Sequence, residues 1–494
     1  VPAYTPEIVR HVARPTGAGP LADADAVGES GAVGCGDVVR IQLRIAGQTV
    51  TAARFLAYGC PAALAAASAA CGLLEGASLR EAMLLSAERL DRELGGLGEA
   101  RRHAAELTAD AVARALEAWY SRRLGEPGLP LAEGRIAVAM SGGVDSAVAA
   151  LVLRDAGWDV VGVTMRLWHD PGAVAAERSC CSPETVRLAR ASAHALGVPH
   201  LTIDAAEPFR AGVVEAFIAG YTAGLTPNPC VVCNGSVRFA VLAKAAALVG
   251  AQGLATGHYA RLERTAAGAP VLAAAADQSK DQSYMLSMLG PDVLRRLVFP
   301  LGELTKATVR ARAREAELPA AEAVESQEIC FVGADGYGPF LERNAGLAPE
   351  FGPIVDLDGT PIGAHQGYWR FTVGQRKGIG VAAAEPLYVL GTDPERNAVT
   401  VGPRGALAIW GLELRPAVAH DVLDLGAPFE VRVRYRGRPI PGRQVVPIDE
   451  SGVRIELAEP ADGVAPGQTA TIYQFGRLVL AGTIAVSHPS SGSQ

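Results

Sequence analysis

The sequence predicts a multi-domain chain: an α+β unit first, then an α/β unit on a parallel sheet, then a small β domain and a β-barrel. Three observations predict it. Between residues 135 and about 260 apolar strands alternate with amphipathic helices, as in a parallel sheet covered on both faces. From about 350 the texture changes to short alternating strands separated by turn residues, which suits small β domains or a barrel. Between the first two regions, RLGEPGLPLAEG (123–134) carries Gly and Pro and reads as a linker. The expected boundaries are 1–125, a linker at 126–134, then 135–345, 346–408 and 409–490.

The elements follow in order. The first unit offers a strand, VVRIQLRIAG (38–47), before alanine-rich helical segments. In the second, IAVAM (136–140) precedes the helix SAVAALVLRDAG, and DVVGVTM (159–165) precedes PETVRLARASAHALG (183–197). HLTIDA (200–205) then precedes AGVVEAFIAGYTAG (211–224), and GLATGH (253–258) adds a further strand. The β region reads PIVDLDGTPIG, RNAVTVGP, FEVRVRYRG, GVRIELAEP and QTATIYQFGRLVLAGTIAV, and the final PSSGSQ is expected to fray.

The net charge of −7 argues against a generally basic nucleic-acid binder but leaves room for a local patch. RVRYRGRPIPGR (432–443) holds five arginines, either a solvated strand face or a phosphate-contacting patch. GQRKG places Arg376 and Lys377 near Tyr368, Trp369 and Phe371, where stacking and phosphate contact could combine. No run approaches the ~18 uninterrupted apolar residues of a membrane span, and VPAYTPEIVRHVARPTG has no apolar signal-like core. A cytoplasmic location without membrane association is the expectation. There the eight cysteines suit buried thiols, metal ligands or catalytic groups better than disulfide staples. Only four of the 45 basic residues are lysine (Lys244, Lys280, Lys306 and Lys377), so a retained ammonium is a weak hint of use.

The stretch VAMSGGVDSAVAAL (138–151) combines a strand, a glycine loop and a helix start. Backbone N–H groups and the helix dipole make such a junction an anion site. It lacks the Lys-Ser/Thr ending of a P-loop. A tight strand-to-helix turn is the plain alternative, but the carboxyl end of a parallel strand favours nucleotide binding. The pattern resembles the PP-loop ATP pyrophosphatases. That resemblance implies that the loop grips the pyrophosphate that leaves, that AMP is handed to a substrate oxygen, and that Asp145 helps hold Mg²⁺ and ATP.

TPNPCVVCNGSVRF (226–239) places Cys230 and Cys233 in a CxxC leading into a helix, and SQEICFVG (326–333) places Cys330 after a polar loop. A CxxC is often half a metal site, and a lone cysteine is often packing. A thiol at a helix start, however, gains thiolate character. Together with ATGHYAR (255–261), KDQSYML (280–286), PLGELTK (300–306), GQRKGIG (374–380), VRYRG and PGQ, these motifs resemble the tRNA-specific 2-thiouridylases (MnmA) over residues ~135–490.

The resemblance implies ATP-dependent 2-thiolation of the wobble uridine in tRNAs of the glutamate, glutamine and lysine type. Cys233 matches the nucleophile and Cys330 the persulfide cysteine, with a transient Cys233–Cys330 disulfide implied. Ala139, Met140, Ser141, Gly142, Gly143, Val144, Asp145, Ser146, Met165 and Gly257 match the ATP site. Asn228, Pro229 and Cys230 match the segment facing the target base. His258, Lys280, Asp281, Gln282, Arg434, Tyr435 and Gln468 match tRNA contacts. An iron–sulfur cluster on Cys230, Cys233 and Cys330 is the rival chemistry. A nitrogen-inserting PP-loop ligase, or an assembly protein with a nucleotide-regulated domain, are the rival functions. His169, His194 and His200 show no metal-ligand spacing, and Cys180 and Cys181 read as loop residues.

GAVGCGDVVRIQLRI (31–45) and FLAYGCPAALAAASAACGLLEG (55–76) resemble the NifU/IscU iron–sulfur scaffold over residues 1 to about 120. Cys35, Asp37, Cys60 and His103 fall on ligand positions, while Ala104 stands where that family has a cysteine. The four would suit Zn²⁺ or a labile cluster. Without the thiol that accepts sulfur, the domain is expected to serve rather as a docking surface for a cysteine desulfurase or sulfur-relay protein, raising the local donor concentration.

Overall fold

The computed structural model describes residues 4–31, 36–172, 182–323 and 329–489. Cys35, Cys180, Cys181, residues 326–328 of the SQEICF motif and the terminal serine-rich tail lie outside them.

The N-terminal unit begins with helix α1 (Pro6–Ala13), followed by strands β1 (Ala26–Gly31), β2 (Val38–Ala46) and β3 (Thr49–Tyr58) in an antiparallel sheet. The strict alternation of buried and exposed residues in β1, and the similar pattern in β2, give the sheet one wet and one dry face. Helices α2 (Pro61–Leu74) and α3 (Arg102–Arg122) cover the dry face. Ten of the fourteen residues of α2 are buried, which its run of alanines permits because small side chains let helix and sheet approach closely.

The second unit runs β4 (Ala132–Ala139), α4 (Val144–Asp155), β5 (Asp159–Arg166), α5 (Pro183–Ala195), β6 (His200–Asp204), the helical segment α6 (206–222), α7 (Pro229–Leu248) and β7 (Ala251–Thr256). A hairpin of β8 (Arg261–Arg264) and β9 (Pro270–Ala273) precedes β10 (Leu297–Val298), α8 (Lys306–Glu315) and α9 (Tyr337–Ala345). The sheet order is β10-β7-β4-β5-β6, all parallel. The chain moves outward from β4 to β6 and then returns to the other side of β4, so the order reverses between β4 and β7. A crevice opens there, beyond the strands' carboxyl ends.

Helix α3 serves both units, packing on β1 and β2 and also on β6. It thereby covers the otherwise open edge of the parallel sheet. Polar contacts fix the seam: Arg166 bridges Glu117 (2.7 Å) and Asp204 (2.6 Å), and the Asp204 N–H donates to Ser121 Oγ (2.8 Å). Buried Asp110 takes both Arg187 (2.7 Å) and Arg190. The core is continuous across the seam.

The segment read as a linker is pinned rather than loose. The Leu129 N–H donates to the Ala247 carbonyl at the end of α7 (2.9 Å), and β4 already starts at Ala132, opposite Ala251. Gly and Pro marked irregular backbone there, but the free groups beside β7 and α7 gave that backbone partners. Helix α7 is 20 residues long and includes an 18-residue stretch of mean hydropathy 1.4, the length and composition of a membrane span, yet 56% of that stretch is buried in the protein, where the helix packs against β5 and β7.

Strands β11 (Gly352–Val355), β12 (Pro361–His365), β13 (Tyr388–Asp393) and β14 (Ala398–Gly402) form a small sheet of order β12-β11-β14-β13. Six further strands follow: β15 (Ala408–Ala419), β16 (Glu430–Arg432), β17 (Ile440–Asp449), β18 (Gly452–Asp462), β19 (Thr469–Gln474) and β20 (Arg477–His488). Their order β15-β18-β17-β16-β19-β20 is closed into a barrel by β15 pairing with β20, and the β8–β9 hairpin joins its flank through Arg477 opposite Ala273.

Candidate functional site

The crevice at the sheet reversal is lined by the SGGVDS loop. Gly142 adopts φ +78°, and a Cβ there would stand 2.4 Å from the Thr185 carbonyl oxygen, so neither the turn nor the space admits a side chain. Ser146 Oγ accepts from the Ser141 N–H (3.1 Å) and donates to the Gly143 carbonyl (2.9 Å), holding the loop closed. Gly143 caps α4 without a side-chain bond, so the first backbone N–H groups of that helix point into the crevice unanswered by a cap. Across the crevice Gly257 follows β7, and a Cβ on it would lie 2.7 Å from Asp145 C and Ser146 N. Ala139 ends β4 and Met140 follows it, and half-buried Met165 sits near the end of β5. The expected ATP-site residues therefore gather at one end of one sheet.

Asp145 is held in place by two groups the motifs did not explain. Lys306 Nζ lies 2.7 Å from each of its carboxylate oxygens, and the Tyr259 hydroxyl donates to Oδ1 (2.9 Å). The sequence signals for Lys306 were the scarcity of lysine and its place at the end of the PLGELTK motif.

The cysteines lie on α7 and after it. Asn228 caps the helix, accepting from the Val231 N–H (3.2 Å), and Pro229 takes the first turn. Cys230 is exposed and Cys233 buried, at the start of a π-helical turn, Cys233–Arg238. Such turns often mark functional sites. A second π-helical turn, Arg210–Val214 in α6, packs against it. Half-buried Cys330 precedes Phe331, whose ring meets Phe209 (5.7 Å), Phe217 (5.2 Å) and Phe340 (5.3 Å). Cys233 is buried in the main apolar core, and Cys330 packs against that core. Among the described residues, Cys230, Cys233 and Cys330 form no group of ligand atoms mutually within 4.8 Å.

The barrel closes over this region. Gln468 Nε2 donates to the Thr226 carbonyl (2.9 Å), and the Asn228 side chain bonds the Tyr284 hydroxyl, which donates to the Thr469 carbonyl (2.7 Å). Tyr284 lies 6.2 Å from half-buried Tyr435, with the Arg436 guanidinium 5.1 Å from the Tyr435 ring. Arg434 and Arg436 are exposed.

Three expectations need correction. Asp281 does not face RNA: it is 6% exposed and accepts from the Ala275 N–H, the Ser283 N–H and hydroxyl, and Arg432 (3.2 Å). Its charge is spent tying the KDQ loop to the barrel. Arg432, stacked 4.5 Å over Tyr473, is correspondingly removed from the arginine patch. Tyr368, Trp369 and Phe371 are at most 9% exposed, because their apolar surface fills the small β domain; Arg376 and Lys377 of that motif are exposed. Gln282, half-buried, accepts from and donates to the Tyr259 backbone, and half-buried Lys280 N–H donates to the Asp277 carbonyl. His258 contacts Thr256 Oγ1 (2.9 Å); burial, then Arg238, pushes its pKa down to about 3, so it is neutral. His194 and His200 are structural, facing the Met83 carbonyl and Thr164 Oγ1.

In the N-terminal unit, Asp37, Cys60 and His103 converge, their ligand atoms within 4.8 Å of one another. Asp37 accepts from the Cys60 N–H (3.1 Å) and faces His103 Nε2 (3.1 Å). Burial raises the Asp37 pKa, but hydrogen bonds from Cys60 and His103 outweigh it and lower the carboxyl overall; burial, with Asp37 beside it, raises the Cys60 thiol. A carboxylate, a thiol and an imidazole suit Zn²⁺. Ala104 is completely buried and offers no ligand.

Comparison with known proteins agrees with this layout. Residues 3–126 match the NifU-like N terminal domain, 134–334 the tRNA methyl transferase HUP domain, 339–403 the tRNA methyl transferase PRC-barrel domain and 422–484 the aminomethyltransferase beta-barrel domain. The bifunctional protein NifU/MnmA of Rubrobacter xylanophilus is 42% identical over 97% of this chain and 98% of its own. The tRNA-specific 2-thiouridylase MnmA of Sorangium cellulosum is 45% identical, over 72% of this chain and 93% of its own. A crystal structure of a NifU-like N-terminal protein from Brucella abortus is 22% identical, covering 23% of this chain and 92% of that one, with TM-score 0.21.

Proposed function

The chain belongs to the tRNA-specific 2-thiouridylase (MnmA) family, in the form that carries a NifU-like domain, and from that premise we propose how its residues perform ATP-dependent 2-thiolation of tRNA. The observation that carries the reading is the SGGVDS loop at the sheet reversal with Asp145 held in the crevice, in a chain that buries Cys233 in its core and packs Cys330 against that core.

The α4 N-terminus and SGGVDS loop bind the phosphates of ATP, with Asp145 as the carboxylate that would hold Mg²⁺, an ion that neutralises phosphate charge. O2 of the wobble uridine attacks the α-phosphorus and pyrophosphate leaves. The terminal sulfur of a Cys330 persulfide then adds to C2 and AMP departs with the original oxygen. Cys233 thiolate attacks Cys330 Sγ, breaking the S–S bond, leaving sulfur on the base and forming a Cys233–Cys330 disulfide. A thiol reductant supplies two electrons to restore both cysteines.

For the N-terminal domain we favour docking of a cysteine desulfurase, with the Asp37–Cys60–His103 trio holding Zn²⁺ rather than building clusters, because buried Ala104 removes a ligand. Desulfurase binding should survive Cys60→Ser; loss of binding would return the trio to a direct part in sulfur handling. The adenylation step is tested by incubating the protein with ATP, Mg²⁺ and glutamate, glutamine or lysine tRNA transcripts. AMP and pyrophosphate should form with uridine at the wobble position and not with cytidine; equal release from both would refute the assignment.

A further inference from the structure

We propose that Asn234 is a positioning residue for Cys233, fixing the nucleophile's turn relative to the barrel. This rests on the sulfur-transfer reading above and adds a residue to it.

Three observations converge on that role. First, Asn234 is a poor choice for stability alone. It lies inside α7, where a short amide competes with the helix backbone, and it is only 3% exposed. Its Oδ1 is buried without a hydrogen-bond partner, a condition that an apolar side chain of similar size would avoid. Second, its Nδ2 donates to the Met285 carbonyl (2.8 Å), 51 residues further along the chain. Met285 belongs to the short helical turn Ser283–Leu286, which the barrel grips. Ser283 Oγ meets the Tyr473 hydroxyl (2.8 Å), the Tyr284 hydroxyl donates to the Thr469 carbonyl (2.7 Å), and Asp281 just before the turn pairs with Arg432 (3.2 Å). The Asn234 amide thus joins a barrel-held turn to the residue next to Cys233. Third, the segment it holds is the π-helical turn Cys233–Arg238, and that turn is seated closely on two sides. A Cβ on Gly235 would lie 2.9 Å from Met288 Cβ, and a Cβ on Gly212 would lie 2.5 Å from Val237 Cγ2.

The chemistry explains why such fixing matters. Cys233 attacks Cys330 Sγ along the S–S bond, so its sulfur must be placed closely, and misplacement on the order of 1 Å lowers a rate by up to ~100-fold. Adenylation uses O2 of the base and the SGGVDS loop and does not use Cys233. A residue that acts through Cys233 therefore separates the two half-reactions, whereas a residue that merely supports the fold affects both.

The test measures both half-reactions in one experiment. Protein loaded by a desulfurase and cysteine is mixed with ATP, Mg²⁺ and unmodified tRNA, and first-turnover pyrophosphate release and 2-thiouridine formation are followed together. Wild type is compared with Asn234→Ala, Asn234→Leu and Asn234→Gln, with thermal melts recorded for each. Asn234→Ala and Asn234→Leu are expected to form 2-thiouridine at least about tenfold more slowly, while pyrophosphate release and the KM for tRNA stay within about twofold. Asn234→Gln, which keeps the amide, should recover part of the loss. Equal slowing of both half-reactions, or of neither, would overturn the proposal and leave Asn234 as a packing residue. Should the alanine variant fail to fold, the leucine variant decides, because it fills the space without an amide: wild-type 2-thiouridine formation in it contradicts the role. A wild-type protein that releases pyrophosphate but forms no 2-thiouridine would instead sink the sulfur-transfer reading itself.

Discussion

Replacing Gly257 by alanine should damage adenylation as well as stability. The added Cβ would lie 2.7 Å from Asp145 C and Ser146 N and 3.0 Å from Asp145 O, all backbone atoms at the start of α4. No side chain can swing aside to make room. Restoring ordinary contact near 3.4 Å requires a displacement of about 0.7 Å between the end of β7 and the start of α4. Overpacking of this kind costs about 1–3 kcal/mol. The same shift moves the loop that positions ATP, and misplacement on the order of 1 Å lowers a rate by up to ~100-fold. Gly405 is the control: a Cβ added there would meet no heavy atom within 4 Å, and its φ is not positive. Single-turnover AMP formation is the assay. Gly257→Ala is expected to fall by at least about tenfold and Gly405→Ala by less than about twofold. A Gly257→Ala rate within about twofold of wild type would refute the placement of ATP at this junction.

Other consequences are equally direct. Asp110→Asn leaves Arg190, 14% exposed at the seam between the first two units, without its anion; the loss should be about 3 kcal/mol, read as earlier chemical unfolding and faster hydrogen exchange along β6. Acid should destabilise the protein before any carboxylate titrates. Burial lowers the pKa of His200, His258 and His420 below 6.5 in the fold. The unfolded chain therefore binds more protons, and stability is lost as pH falls through 6.5. Unfolding should need less denaturant at about pH 5.5 than at about pH 7.5, and equal stability would contradict the burial of these rings. Arg434→Ala with Arg436→Ala should weaken tRNA binding about tenfold and reduce the dependence of log affinity on log salt by about two, whereas binding with an unchanged slope would remove these side chains from the RNA surface.

The parallel sheet was legible because its strands are apolar runs separated by helix-length amphipathic segments, and each expected strand from 136 to 258 appears close to where its residues placed it. The strand–loop–helix junction at SGGVDS was legible for a related reason: its glycines and serines are adjacent in sequence and need only a strand and a helix to be aimed. What sequence could not supply were contacts between distant motifs. Nothing local in PLGELTK says that its lysine meets Asp145, and nothing in KDQSYML says that its aspartate turns inward to Arg432. Both depend on how α8 and the barrel fold back over the crevice. The aromatic residues before GQRKG misled for the opposite reason, since a ring suited to stacking on a base is equally suited to a core.

The central claim is that Cys233 and Cys330 exchange the O2 oxygen of a tRNA uridine for sulfur. Its most direct test is anaerobic incubation with ATP, Mg²⁺, a desulfurase–cysteine sulfur source and unmodified tRNA, followed by nucleoside mass spectrometry. The expected result is 2-thiouridine from the wild-type protein and none from Cys233→Ser or Cys330→Ser. Undiminished 2-thiouridine from either variant, or none from wild type supplied with sulfur and cleaving ATP to AMP, would contradict it.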